Sequence, residues 1–571
     1  MSYFFNGRLW TTPAVMSVVN DAAMFNPSLD VGNVVALIGA SVGGAPNTPL
    51  VFSDPEQARS MLISGDLVDA IKAAFDPSDE TVGPSTVVAI RVNPALQSAL
   101  TLADSTTGPA IDLVSTDYGL YTNQIKVKVE AGSVQGLKLT TSLGLNSYVQ
   151  DNVYRNAFSI QYTGANASAQ MTITNTTVTL ASPTGTTVAT IALATYPTVQ
   201  QLVDFINTVP SFSASVLDGN GLAPALNGLD SIAAQDVKTA LYTAVANLQA
   251  VVDYFNSQAE GLVTATRHTG AGKPPAAIAF TYLTGGSDGV ITNTQWSDAF
   301  TVLQTVDVQW VTPLTIDASV VAMADAHVVY MSNIGRMERR AITGTATGTT
   351  DIAAIAAAKV INSDRTSLVH LGYYDYNAAG VLTLYQPYIL AAMIAGAFSG
   401  VNPGTPLTNK SLKLRGIERN LRNPADTDAL INGGVLCVEN TSTGYRVVKS
   451  ISTWLNNKNF NRVEQSTGVA LDFTARSVRK ALATLKGAKG NPQTLGLAVA
   501  KAETVLRALS VPDPSGPGVL AGDATNPPYK NIQATLIGDV MAVSFQCSPV
   551  IPVNYIPVTI FAVPYTGSAS V

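Results

Sequence analysis

Two glycine-rich turns, three histidines and two cysteines are where this chain of 571 residues could do chemistry. ALIGASVGGAP (36–46) places Gly39, Gly43 and Gly44 after an apolar run, the setting of a dinucleotide-binding loop. Such a loop must open straight into a helix whose N-terminus faces the pyrophosphate. Here it runs into PNTP and a second strand-like run, and the glycine spacing differs, so it reads as a turn at a strand end. TGGSDGVITNTQWSDAF (284–300) raises the same question. It lacks the Lys-Ser/Thr pair that a P-loop brings to phosphate and magnesium. Asp288 is available to a metal but has no partner carboxylate near it in sequence, so a turn at a domain boundary is favoured. His268, His327 and His370 are scattered, without the paired spacing of a zinc site. His370 lies in an apolar run and reads as a satisfied structural histidine. Cys437 and Cys547 carry no catalytic signature and sit in strand-like surroundings, which suits buried thiols in a reducing compartment. No catalytic residue, metal or cofactor is assigned, and the chain is not read as an enzyme.

The elements that would position any site follow from composition and pattern. A single core stops growing near ~250–300 residues, so several domains are expected. Charged residues are 13% and hydrophobic residues 46%, which suits large cores, large subunit interfaces or both. The net charge of -6 gives no reason to expect direct nucleic-acid binding. The N-terminus lacks a basic, apolar signal pattern, and ILAAMIAGAF (389–398) is too short to span a bilayer. A soluble cytosolic product without membrane insertion is the expectation.

The fold class read from the pattern is α/β (α+β) and multidomain, a mixed-sheet core interrupted by a β-rich insertion and flanked by extended arms. Residues 1–33 show no clear period and read as an N-terminal arm. The first core segment spans 34–95, with buried strands VVALIGA and TVVAIRV around two helices. Asp54, Pro55 and Gln57 read as an N-cap, first turn and capping box, and Gly65 as a helix stop. Residues 96–283, rich in Thr, Ser, Asn and Gly, read as one or two inserted domains, with a long helix expected over 232–257. The second core segment (284–400) resumes a helix–strand alternation, which favours a mainly parallel or mixed sheet. The segment 401–548 is distinct in charge. Its portion 401–510 holds 16 Lys and Arg against 7 Asp and Glu. Within it LDFTARSVRKALATLKG (471–487) is an amphipathic helix with Arg476, Arg479 and Lys480 opposite its apolar stripe. A solvated face and an acidic protein partner are both open readings, and nucleic acid is the weakest. A Pro/Gly-rich linker follows at 511–528, and residues 549–571 form a C-terminal arm. Its YIPVTIFAV has high β-propensity and no charge, an aggregation hazard unless paired. It either forms a hairpin with 540–547 or is donated to a neighbouring subunit's sheet edge.

Four stretches carry a resemblance to a family. They are GNVVALIGASVGGAPNTPLVFSDPEQARSML, TYLTGGSDGVITNTQWSDAFTVL, QPYILAAMIAGAFSGVNPGTPLTNKSLKLRGIE and GGVLCVENTSTGYRVVKSISTW. In this order they resemble the core of contractile tail sheath proteins of bacteriophages, over about 30–95 and 284–565. The resemblance implies a structural subunit forming hexameric rings stacked helically around a tail tube, with baseplate and tail terminator proteins as further partners. It implies a virion-tail location after assembly in the host cytoplasm, an outward-facing insert, and contraction that drives the tube through the host envelope for genome ejection. It implies arms that add strands to neighbours, with Val15, Val18 and Val19 as N-terminal and Val558, Ile560 and Ala562 as C-terminal interface candidates. It implies a core helix on the tube, with Arg476, Arg479 and Lys480 as contacts. A phage-tail-like bacteriocin or other injection device is the alternative, and an α/β nucleotide-binding enzyme the weaker one.

Overall fold

The protein is described from a computed structural model over residues 34–257 and 261–567, together with the backbone of Tyr3–Phe5 and Arg8–Trp10, which pair antiparallel. The N-terminal candidates Val15, Val18 and Val19 lie outside the described residues. Two compact units divide the described chain, one with residues 34–41, 46–93 and 291–567, the other with 42–45 and 94–290.

The first unit is built on one sheet. Its strands are β1 (Val34–Gly39), β2 (Pro49–Phe52), β3 (Thr86–Arg91), β4 (Trp310–Pro313), β5 (Arg340–Gly344), β6 (Thr366–Val369) and β7 (Val435–Leu436). They lie in the order β7-β6-β5-β4-β1-β3-β2, all parallel except β2, which runs antiparallel on β3. The chain leaves this sheet after β3 and returns to place β4 directly beside β1, Trp310 opposite Val35. The strands are continuous apolar runs because both faces are covered. Side chains alternate in direction along a strand. Val35 and Leu37 join one core with helices α1 (Pro55–Leu62) and α2 (Asp66–Phe75). Val34, Ala36 and Ile38 join the opposite core with α3 (Asn293–Leu303) and α4 (Ala318–Asn333). Helices α5 (Asp351–Ile361) and α6 (Pro387–Ser399) complete the first core.

Every residue of α6 is buried. Its Ala/Gly composition lets it approach α2 closely: a Cβ on Gly396 would stand 2.1 Å from the Ala74 carbonyl oxygen. Trp310 of β4 stacks on Phe398 of α6 with centroids 4.5 Å apart.

Local signals differ from the sequence reading at several points. Asp54 caps α1 by accepting from the Glu56 amide, with Pro55 in the first turn, but Gln57 takes no part in a capping box. Gly65 precedes α2 at φ 116°, while α1 ends at Ile63. The reciprocal box belongs to Thr292 and Gln295, at the start of α3. The run 367–376 is two strands, Thr366–Val369 and Tyr373–Tyr376.

The second unit holds two cores. One packs Leu102, Ile111, Val127, Leu139 and Phe255, and the other Phe158, Met171, Leu180, Leu202 and Phe212. The long helix expected over 232–257 is instead two strands, Ile232–Asp236 and Tyr242–Val245, and a shorter helix, Asn247–Ser257. Asp236 Oδ1 accepts from the amides of Lys238 and Thr239, which turns the chain. Tyr242–Val245 then pairs with Asn156–Ile160. Leu241, in the turn between these strands, is exposed. Sheet pairing and the Asx turn outweigh the weak 3.6-residue pattern here.

The C-terminal stretch of the first unit adds helices α7 (Gln465–Ala483) and α8 (Pro492–Leu509), then the hairpin β8 (Tyr529–Ile537) and β9 (Val540–Cys547). Val478, Ala502, Leu506 and Leu509 are buried between them. Ile532, Val543, Phe545 and Cys547 pack on this cluster, while Gln533, Thr535, Ser544 and Gln546 alternate outward.

Candidate functional site

The glycine turns lack the geometry of a phosphate cradle. The loop after β1 leads into β2, not into a helix, and the Gly44 amide donates to Asp117 Oδ1 at 2.8 Å. At the second turn the Gly286 amide donates to Asn123 Oδ1, and Asp288 Oδ1 accepts from the Leu120 amide. Both are corners fixed by carboxylate and amide side chains. The strings Gly39–Gly43 and Gly285–Gly289 also match G-x-S-x-G. A nucleophile elbow needs a strand–turn–helix with its serine exposed. Ser41 is buried, Ser287 bridges to Leu96, and no helix follows either turn directly. The histidine rings bond Asp112, Arg339 and Asp351 instead of a serine. Cys437 is a buried free thiol, pushed up to about 12 by desolvation. Among the described residues there is no cluster of three metal-ligating side chains, and no helix is long and apolar enough to cross a membrane.

The concentration of charge lies under α7. Asp472 accepts from Arg340 Nε at 2.9 Å and from both Arg365 guanidinium nitrogens at 3.1 Å. Gln465 Oε1 takes a further proton of Arg340, at 2.8 Å. One turn of helix beyond Asp472, Arg476 forks onto Asp307 at 3.0 and 2.7 Å and donates to the Glu338 carbonyl. Arg479 pairs with the Glu338 carboxylate. The helix is thus bolted to the loops entering β4 and β5. Gly468 permits this contact, because a Cβ there would meet the Arg340 guanidinium at 2.2 Å. Beside the network Arg339 donates to His327 Nε2 and to the Leu303 and Val306 carbonyls. Burial, and then the Arg339 charge, depress the His327 pKa to about 3, so the ring is neutral.

This placement revises the solvated-face reading of the basic helix. Arg476 is only 9% exposed and is committed to Asp307 and Glu338. Arg479 is half-buried against Glu338. Lys480 is exposed and forms no ion pair among the described residues. Lys480 and Arg479 instead border a groove of about 650 Å³ with Arg336 and Lys486, floored by Val478 and Phe545. The sequence reading missed Asp472, Glu338 and Asp307 as partners. The only local signal is the charged triplet Glu338-Arg339-Arg340 at the mouth of an otherwise apolar strand.

The C-terminal arm is the other exposed feature. Its YIPVTIFAV does not form a hairpin with 540–547, because β9 pairs with β8, Leu536 opposite Met541. Residues 548–550 are tied to the unit: the Val550 amide donates to the Val519 carbonyl, and Thr467 Oγ1 donates to the Val550 carbonyl. From Ile556 onward the chain runs out apolar and exposed, with Ile560 at 85% and Tyr565 at 96%. Val558, Ile560 and Ala562 all lie in this stretch. The β8–β9 hairpin is a two-stranded sheet with no third strand among the described residues.

No protein-family profile matches the chain. Full-length relatives do. The tail sheath protein of Bacillus phage SP01 is 30% identical over 99% of this chain and 97% of that protein. A putative tail sheath protein of Enterococcus phage phiEF24C is 30% identical over 82% of this chain and 83% of its own length. Among solved structures, a sheath tail protein from Listeria innocua superposes with a TM-score of 0.54 at 14% identity, covering 90% of this chain and 92% of its own. One from Desulfitobacterium hafniense gives 0.53 at 11% identity, over 94% of this chain and 100% of its own. The seven-stranded core, its insertion and its exposed C-terminal segment therefore sit in a chain that belongs to the bacteriophage tail sheath proteins, structural subunits of the contractile tail.

Proposed function

We propose that this sheath subunit assembles through its C-terminal arm. Ile556–Gly567 of one copy adds as a strand to the β8–β9 hairpin of the next. The observation that carries this is complementarity within one chain. A two-stranded hairpin offers unpaired edges, and an uncharged, β-prone segment stands exposed without a partner strand among the described residues. Either feature alone is an aggregation hazard. Together they satisfy each other between copies, as strand addition does. Fully extended, the arm reaches roughly 40 Å, far enough to leave its own unit. The N-terminal arm serves the same lattice.

In this reading hexameric rings stack helically around a tail tube inside the host cytoplasm, between a baseplate and a tail terminator. The unit 94–290 faces outward. The groove beside α7 faces an acidic tube surface, with Lys480, Lys486 and the exposed edge of Arg479 making the contact. Arg476 holds the helix in place rather than touching the tube. On contraction the core units slide and rotate to a tighter packing of lower free energy while the arms keep the lattice connected.

Deleting 556–571 tests the arm. The shortened chain is expected to remain folded and monomeric, with no cylinders in negative-stain micrographs at concentrations where the full chain forms them. Cylinders of normal length from the truncated chain would remove the arm from the account.

A further inference from the structure

The C-terminal segment changes character between Asn554 and Ile556, and a buried carboxylate sits at that change. Glu464 directly precedes α7 in the N-cap position, yet its side chain does not cap the helix. It turns instead to Lys449 Nζ at 3.2 Å and to Asn554, whose Nδ2 donates to Oε1 at 2.8 Å. The Lys449 ammonium also lies 5.8 Å from the centre of the Tyr555 ring. Glu464 is fully buried, and its Oε2 and the Asn554 Oδ1 are both buried without a hydrogen-bond partner. Burial raises the Glu464 pKa against the pull of Lys449 and Asn554. A buried carboxylate with an unsatisfied oxygen is an expensive way to hold a chain, and apolar packing would do so at lower cost. What the charged pair supplies is direction: it fixes one residue of the segment, Asn554, at one place on the core.

We propose that Lys449, Glu464 and Asn554 form the pivot of the C-terminal arm, positioning residues that hold Asn554 on the core and set where the donated strand leaves. This deepens the strand-donation reading and rests on it. It commits the arm to exit at Tyr555, beside the start of α7, so the same helix that is bolted to β5 through Asp472 also carries the arm's root.

The test reads the root separately from the lattice. The Tyr555 ring is already 80% exposed, so in dilute monomer chymotryptic cleavage after it is limited by the freeing of Asn554, the residue before it, which the protease must also bind in extended form. Asn554→Asp sets a second carboxylate against Glu464, and like charges in a buried site repel. It is expected to speed that cleavage by roughly tenfold, the change that about 1.4 kcal/mol produces, while cleavage within 34–547 stays unchanged. Glu464→Gln combined with Asn554→Asp restores one carboxylate facing one amide and is expected to return the wild-type rate. A rate for Asn554→Asp within about twofold of wild type (well under 1 kcal/mol), or a double variant that stays fast, overturns the pivot. Cylinder formation is scored independently. A pivot that passes in a chain that forms cylinders without residues 556–571 would refute strand donation and leave the pivot standing.

Discussion

Some charged side chains of this subunit hold the fold, and others stand exposed, open to a partner. Asp472 serves Arg340 and Arg365, both largely buried. Removing one member of such a group strands the others, which costs about 3–5 kcal/mol. Asp472→Ala is therefore expected to lower the unfolding free energy measured by chemical denaturation by that amount, whereas Lys480→Glu, at an exposed site, should shift it by less than about 0.5 kcal/mol. The partner role is read by mixing with tail tube: Lys480→Glu with Lys486→Glu should weaken copurification and leave sheath assembly intact. Equal copurification would take the groove out of the tube interface. His327 gives a pH dependence with a definite sign. Its folded pKa is about 3 against 6.5 when free, so its contribution to stability is fully present above pH 6.5 and is lost as pH falls toward 3. His327→Gln keeps an acceptor for Arg339 without a titrating group. Thermal melts of the variant should flatten the acid limb by up to ~1.4 kcal/mol per pH unit between those values; parallel limbs would contradict it.

At the scale of elements the close passage of α6 over α2 is the critical contact. Gly396→Val would push a branched side chain into the Ala74 backbone, and a loss of about 3 kcal/mol is expected by chemical denaturation. A variant as stable as wild type would mean that the two helices can separate freely. The same elements show what sequence can carry. The strands VVALIGA and TVVAIRV and the helix–strand alternation after residue 284 were legible because burial on both sheet faces leaves long apolar runs. That 308–314 and 34–40 become neighbours in one sheet was not, because strand order has no local signature. The 232–257 stretch misled because alanine, valine and leucine satisfy a helical period and a strand equally well. The basic helix was legible as a helix and misread as a surface. Arg476, Arg479 and Lys480 share a charge, and only the distant carboxylates Asp307 and Glu338 decide which of them points inward. For YIPVTIFAV composition left two readings open, and the exposure of Ile556–Tyr565 together with the β8–β9 pairing removes the hairpin with 540–547.

At the scale of the whole molecule the central claim is that this chain is incomplete until it meets its neighbours. Among the described residues the hairpin lacks further strands, and the arm lacks a sheet. Contraction needs links that survive large movements of the core, and a strand rooted on one copy and paired on another is such a link. The most direct measurement is electron cryomicroscopy of cylinders assembled from the purified full-length chain. The account predicts density for Ile556–Tyr565 as a strand along an edge of the β8–β9 hairpin, continuous with the Tyr555 of a different subunit. An edge left bare, or filled by the same subunit's own arm, would contradict it.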